Sequence, residues 1–297
     1  MEFSKPAFNA QQHLELLIGR GLKVSDKVKA SHFISNLGYY RLSGYMYPLQ
    51  VPDGTHQFKE SVTFDLVIDH YNFDRKLRLL ILDFIERIEV GLRAILSDTY
   101  ARRYGPHWYL DTTLFKNPNT HARFVEKVKL FCDSCEFQFI KKYMFKYDNP
   151  PEPPCWMIME TLTFGQLSVL FENLKGGVLK SEVAAKFNAA SPILESWLRS
   201  INSLRNFCAH HARIWNRKFA IKPIIPLKES WKFLENIEDH TNQRLYGILS
   251  CMIKMMENVN PNADFKIKLK DLFREYNCIN IHYIGFQKEW TEEQIWQ

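Results

Sequence analysis

From Phe64 to Leu96, apolar residues return at Phe73, Leu77, Leu80, Ile81, Phe84, Ile88, Leu92 and Ile95. That three-and-four spacing predicts a long helix with one buried face. Its other side carries Asp74, Arg75, Arg78, Glu86, Glu89 and Arg93, with Glu89 and Arg93 one helical turn apart in the favoured sense. Shorter helices come first. Gln11 to Arg20 carries Leu14, Leu17 and Ile18 and is closed by Gly21; the next is capped by Ser25 or Asp26 and stops at Gly38. Tyr39-Tyr40-Arg41-Leu42-Ser43-Gly44-Tyr45 has the residue types of a base-stacking platform, but packing of one element on another is the favoured role. Val51 to Thr63 reads as a loop turned by Pro52-Asp53-Gly54.

Gly105-Pro106 breaks the chain after Tyr104, and Thr120 to Tyr147 returns to a helical pattern with Lys141-Lys142 near its end. A stiff connector spans residues 149–154. Helical segments are expected at Cys155–Leu174 and Ser181–Phe187, separated by Gly176-Gly177. Ser191-Pro192 is a helix start, with Ser as N-cap and Pro at the first helical position. Leu194, Trp197, Leu198, Ile201, Leu204 and Cys208 mark its buried face. Further helices are predicted over Glu229–Asn258 and Asp264–Tyr276, then an aromatic, partly extended tail from Asn280 to Gln297. Strand signals are few and no repeat is visible, so the expected class is all-α. The expected organisation is an N-terminal helical region (1–58, serving nucleic-acid or dimer contacts), a central helical domain (59–258) and a C-terminal helical and aromatic extension (259–297).

Composition narrows the function. With 46% hydrophobic residues the chain of 297 can bury a core. No stretch of 18 residues lacks charge, so no membrane segment is expected, and Met1 to Ala10 lacks the apolar run of a secretory signal. Six irregularly spaced cysteines read as reduced thiols of a cytoplasmic protein. The net charge of +6 is mild, but its distribution is not. Ser196 to Lys228 holds no acid in 33 residues and contains Arg199, Arg205, Arg213, Arg217, Lys218, Lys222 and Lys228. Such a stretch suits a phosphate-bearing partner.

Inside it, Asn206 and His210 are four apart on an extrapolated helix, and Arg213 and Arg217 continue the same face. Metal-free RNA cleavage needs a base for the ribose 2′-hydroxyl, an acid for the leaving 5′-oxygen and a cation for the phosphorane. Histidine suits proton transfer near neutrality, and the arginine fork matches two phosphate oxygens. Arg205-x4-His210 supplies both types, with Asn206 able to fix a tautomer or hold a phosphate oxygen. A short pattern of this kind is more often structural, with His210 in a core, Arg205 paired to an acid such as Glu89, and Asn206 in a helix–helix hydrogen bond. A second match, Arg102 to His107, is rejected because Gly105-Pro106 interrupts it. Cys132-Asp133-Ser134-Cys135 has no second ligand pair, and His70 with Asp74 reads as a helix-surface pair, so no metal or cofactor is expected. Phosphate-binding glycine loops and a nucleophile elbow are absent from the sequence.

The run Arg205-Asn206-Phe207-Cys208-Ala209-His210-His211-Ala212-Arg213-Ile214-Trp215-Asn216-Arg217 resembles the motif of the Abi-like family of bacterial abortive-infection proteins (AbiD/AbiF type). Tyr71-Asn72-Phe73-Asp74-Arg75-Lys76-Leu77-Arg78 with Ile88-Glu89-Val90-Gly91-Leu92-Arg93 resembles the family's long helix, and Tyr40-Arg41-Leu42-Ser43-Gly44-Tyr45 its N-terminal motif. The resemblance runs in one order over roughly residues 5–250. That family is similar to the HEPN superfamily, which implies a helical bundle with additional terminal helices and a metal-independent ribonuclease site completed across a homodimer. Carried over, Arg205 and His210 are the catalytic pair with Asn206, and Glu89 is the long-helix acid that orients them. His211 is a second candidate histidine, because the motif spacing admits it; the relation of His210 to Asn206 favours His210. Arg213, Arg217, Lys218 and Arg41 are expected to contact RNA. The resemblance also implies phage defence or a toxin-like role, sometimes with a structured noncoding RNA. Two other readings stand beside it: a non-catalytic RNA-binding protein, and a toxin–antitoxin subunit acting by protein contact.

Overall fold

The computed structural model describes residues 6–134, 136–228, 230–238 and 240–297. Cys135, Glu229 and Met1 to Lys5, named above, lie outside them. Among the described residues the fold is all-α, with twelve α-helices and three isolated β-bridges but no strand. Two compact units are present. One runs to Leu79 and takes in Ile267–Ile281; the other comprises Leu80–Lys266 and His282–Gln297.

In the first unit, α1 (Ala10–Gly19) opens with a capping box. Asn9 accepts from the Gln12 amide at 2.9 Å and Gln12 accepts from the Asn9 amide at 2.9 Å. The turn after it needs Gly21, whose φ of 85° is cheap only without a Cβ. Asp26 caps α2 (Lys27–Leu37) through the Lys29 amide at 2.9 Å, and α3 (Tyr39–Met46) follows at once. The three tyrosines divide. Tyr45 is buried, Tyr39 stacks on His13 at 4.0 Å, and Tyr40 is 92% exposed. The start of α4 (Phe64–Tyr104) and most of α12 (Phe265–Glu275) complete this unit, joined by Phe73 against Phe273 and by a Lys76–Glu275 ion pair.

Asp74 and Arg78 were expected on the polar side of the long helix and His70 on its surface. All three are buried. Asp74 accepts from the Tyr45 hydroxyl at 2.7 Å and pairs with Arg78, while His70 Nδ1 bonds the Leu66 carbonyl at 2.8 Å. The α3 contact turns that stretch of helix inward, so polarity there marks a buried network and not solvent.

The second unit holds the rest of α4, then α5 (Pro118–Ser134), α6 (Gln138–Lys146), α7 (Cys155–Thr161), α8 (Phe164–Asn173), α9 (Val178–Ala185), α10 (Ser191–Ala209) and α11 (Leu245–Val259). At its centre α10 packs on α8, α9 and α11, burying Leu194, Trp197, Leu198, Ile201, Leu204 and Cys208 as the spacing required. Its start differs from expectation: Ala190 is the N-cap, Ser191 is already helical, and the Ser191 hydroxyl is buried without a hydrogen-bond partner.

Larger differences follow α10. The expected helix over Glu229–Asn258 begins only at Leu245, and the described part of 210–244 is irregular apart from one short 3-10 turn. Backbone groups there are bound by side chains instead. Ser196 Oγ accepts from the Ile224 amide at 2.9 Å, and Glu293 accepts from the Glu235 and Asn236 amides at 2.9 and 2.8 Å. The tail is not extended. It makes three 3-10 turns that seat Phe286, Trp290 and Trp296 around Tyr246, with the Trp296 indole donating to Ser250 at 3.0 Å. No described helix is long and apolar enough to cross a membrane.

Candidate functional site

Arg205 and Asn206 lie on the last two turns of α10, and Ala209 is its last helical residue. His210 is the C-cap, with φ −86° and ψ 12°, and its amide donates to the Asn206 carbonyl at 3.0 Å. The end is closed by a paired-bond cap: His211 N–H donates to Cys208 O at 3.1 Å and Ala212 N–H to Phe207 O at 2.9 Å. This cap needs a left-handed residue, usually glycine, and His211 takes it with φ 56°. His211→Val is therefore expected to be less stable than His211→Gly by about 1–2 kcal/mol. Denaturant unfolding of the two variants checks this, and equal midpoints would contradict it.

The predicted basic stripe Asn206–His210–Arg213–Arg217 does not exist as one helix face, because the helix stops before Arg213. The chain turns away there because Ile214 and Trp215 are fully buried and draw the segment into the core. Asn216 is left-handed at φ 49°, and its carboxamide oxygen accepts from Arg244 at 3.3 Å. Arg217 folds back over α10. Its guanidinium lies 4.3 Å from the Phe207 ring centre, and its Nε donates to the Arg213 carbonyl at 2.7 Å. Lys218 is exposed beyond it, Arg213 is half-buried, and Arg41 sits exposed on α3 in the first unit.

Asn206 and His210 do come together. With Asn202, Ser203, Phe207 and Ile221 they line an open depression of about 380 Å³. Asn206 and His210 are exposed, whereas Arg205 is half-buried and does not line the depression. Among the described residues the carboxamides of Asn202 and Asn206 make no hydrogen bond. Asn202, one turn before Asn206 on the same face, was not singled out from the sequence; its spacing was the available signal.

Glu89 is half-buried on α4 and ion-paired to Arg93, which also donates to the Leu162 carbonyl at 2.8 Å and lies 3.6 Å from Glu160. Burial pushes the Glu89 carboxyl above its ordinary range, and the positive charges of Arg93 and Arg205 pull it back without cancelling the shift. The Arg205 guanidinium thus acts electrostatically on Glu89, though Arg93 holds the direct contact. No described cluster of His, Cys, Asp or Glu has the grouping of a metal site.

No curated protein and no solved structure matches the chain. A family model described as Abi-like protein matches residues 32–216, a span that takes in α3, the buried Tyr45–Asp74–Arg78 network, the whole of α4 and the Arg205–Asn216 turn. That match covers well over half of the chain, and the chain belongs to the Abi-like protein family.

Proposed function

We propose that this protein is a metal-independent endoribonuclease of the HEPN type acting in abortive infection. Membership of the Abi-like family supports the abortive-infection role. The observation that carries the chemistry is the shared depression of Asn206 and His210, beside Arg205 on the same helix end.

The imidazole of His210 takes the proton of a ribose 2′-hydroxyl. The freed oxygen attacks the adjacent phosphorus, and the bond to the 5′-oxygen breaks as that oxygen receives a proton. Arg205 neutralises the charge gathered on the non-bridging oxygens, where a planar fork of donors gives its largest benefit. Asn206 holds a phosphate oxygen or fixes the imidazole orientation. Glu89 holds the negative potential against which Arg205 is set. One chain carries one such motif, so the acid and base are supplied by two copies in a homodimer, facing each other across a two-fold axis. A structured noncoding RNA is a further candidate partner, and the cytoplasm is the site of action.

The products expected are a 2′,3′-cyclic phosphate and a 5′-hydroxyl. Cleavage of a mixed RNA pool should proceed unchanged in excess EDTA, with end groups assigned by mass spectrometry. A strict requirement for added magnesium, or 5′-phosphate ends, would refute the mechanism.

The non-catalytic RNA-binding reading keeps one observation of its own, the full exposure of Tyr40 next to exposed Arg41. It requires His210→Ala to leave every RNA phenotype intact. A toxin–antitoxin subunit acting through protein contact would show no salt-dependent RNA binding.

A further inference from the structure

The depression at His210 has a neighbour. Along α10, His210, Asn206 and Asn202 succeed one another at four-residue intervals, about 12 Å in all. At the Asn202 end α8 crosses close by, and its second residue is Gly165. A Cβ at Gly165 would sit 3.2 Å from the Asn202 carboxamide oxygen and 3.3 Å from its nitrogen, so the glycine lets α8 lie close against Asn202 and puts no side chain of its own between the two. On the other side of Gly165 lies a second open depression of about 390 Å³. Thr120, Arg123, Phe124 and Lys127 of α5 form its far wall, at the spacings that place them on one helix face, and half-exposed Val169 of α8 faces them.

The chemistry of this second depression is uneven in a useful way. Most of its surface is apolar, from Phe124 and Val169, while both its charged residues are cations. Arg123 and Lys127 are exposed, and among the described residues neither makes an ion pair. No carboxylate lines either depression. An aromatic ring beside two uncompensated cations is the composition that binds a nucleic-acid strand: the ring takes a base, the cations its phosphates.

We propose that the two depressions form one continuous groove for a single strand of RNA. A nucleotide flanking the bond at His210 passes over Gly165, its base rests on Phe124 and Val169, and its phosphates meet Arg123 and Lys127. Asn202 is the hydrogen-bonding group at the junction. This extends the ribonuclease reading by assigning the strand a path, and it depends on that reading only in taking RNA as the occupant.

The test is fluorescence anisotropy with a labelled single-stranded 12-mer RNA, using His210→Ala protein so that nothing is cleaved. Adding Arg123→Glu and Lys127→Glu should weaken binding at least 10-fold, and the paired Arg123→Ala, Lys127→Ala change should lower the slope of log K against log salt by about 1.4. Gly165→Leu, which raises a side chain between the two depressions without a charge change, should weaken it several-fold, with circular dichroism confirming the helices. Lys141→Glu with Lys142→Glu, the same charge change on α6, should alter affinity less than 2-fold. Equal losses from the α5 and α6 pairs, or no loss from the α5 pair, would overturn the groove. Absence of RNA binding by the His210→Ala protein would overturn both the groove and the RNA reading. Groove-dependent binding in a protein whose wild type never cleaves would support the groove and refute the ribonuclease alone.

Discussion

Replacing either Arg205 or His210 with alanine is expected to lower RNA cleavage by about 10²–10⁴-fold while leaving the fold intact. Proton transfer by a placed imidazole and charge neutralisation by a placed guanidinium each contribute on that scale. Neither side chain belongs to the apolar core. His210 is exposed at the C-cap, Arg205 is half-buried, and the helix end is held by backbone bonds from His211 and Ala212. Substitution at an exposed position such as His210 costs about 0.5 kcal/mol or less. The same assay separates the two histidines. His210 lines the depression with Asn206 and His211 does not, so His211→Gly should retain activity within a few-fold. Single-turnover cleavage of a defined RNA, with thermal melts of each variant, gives the answer. Loss on changing His211 but not His210 would move the base to His211. Full activity in both alanine variants would leave Arg205 and His210 as structural groups. In cells, only the active protein should arrest growth and generate new 5′-hydroxyl ends.

Asp74→Ala is expected to lower stability by about 3–5 kcal/mol. Asp74 is fully buried, Arg78 is 4% exposed and Tyr45 1% exposed. Burial first, and then the Asp74 charge, pushes the Tyr45 phenol far above its ordinary range, so the hydroxyl stays protonated and donates. Removing Asp74 takes the carboxylate away from the buried Arg78 guanidinium and leaves the Tyr45 hydroxyl without this acceptor. Asp74→Asn should cost less, since an oxygen acceptor remains. Replacing Asp74 and Arg78 together with leucine should recover a large part of the loss, because the penalty comes mainly from burying one charge of the pair without the other. Urea unfolding of the four proteins tests the argument. A loss below 1 kcal/mol for Asp74→Ala, or a double variant as weak as the single, would show that the pair is not the keystone of this unit.

The family resemblance and the helix pattern were legible for different reasons. The apolar spacing of α10 survives in the structure residue for residue, because one face of a central helix must be apolar whatever covers it. Asp26, Gly21 and Gly38 act as punctuation through local hydrogen bonds and backbone freedom that need no distant partner. The rest of the candidate site was only half legible. Arg205, Asn206 and His210 are close in sequence, so their proximity was assured. The continuation to Arg213 and Arg217 failed because extrapolating a helix takes no account of what Ile214 and Trp215 gain by entering the core.

The sequence by itself determined the all-α class, the punctuation of the first helices and the placing of Arg205, Asn206 and His210 within one turn and a half of helix, since each depends on neighbours within a few positions. Tertiary structure alone decided where α10 ends, that Asp74 and Arg78 are interior, that the aromatic tail folds into turns around Tyr246, and that Gly165 and Asn202 meet closely between two depressions. Those outcomes depend on which distant surfaces meet, and a buried contact between residues dozens of positions apart outweighs the fraction of a kilocalorie by which local preference distinguishes one conformation from another.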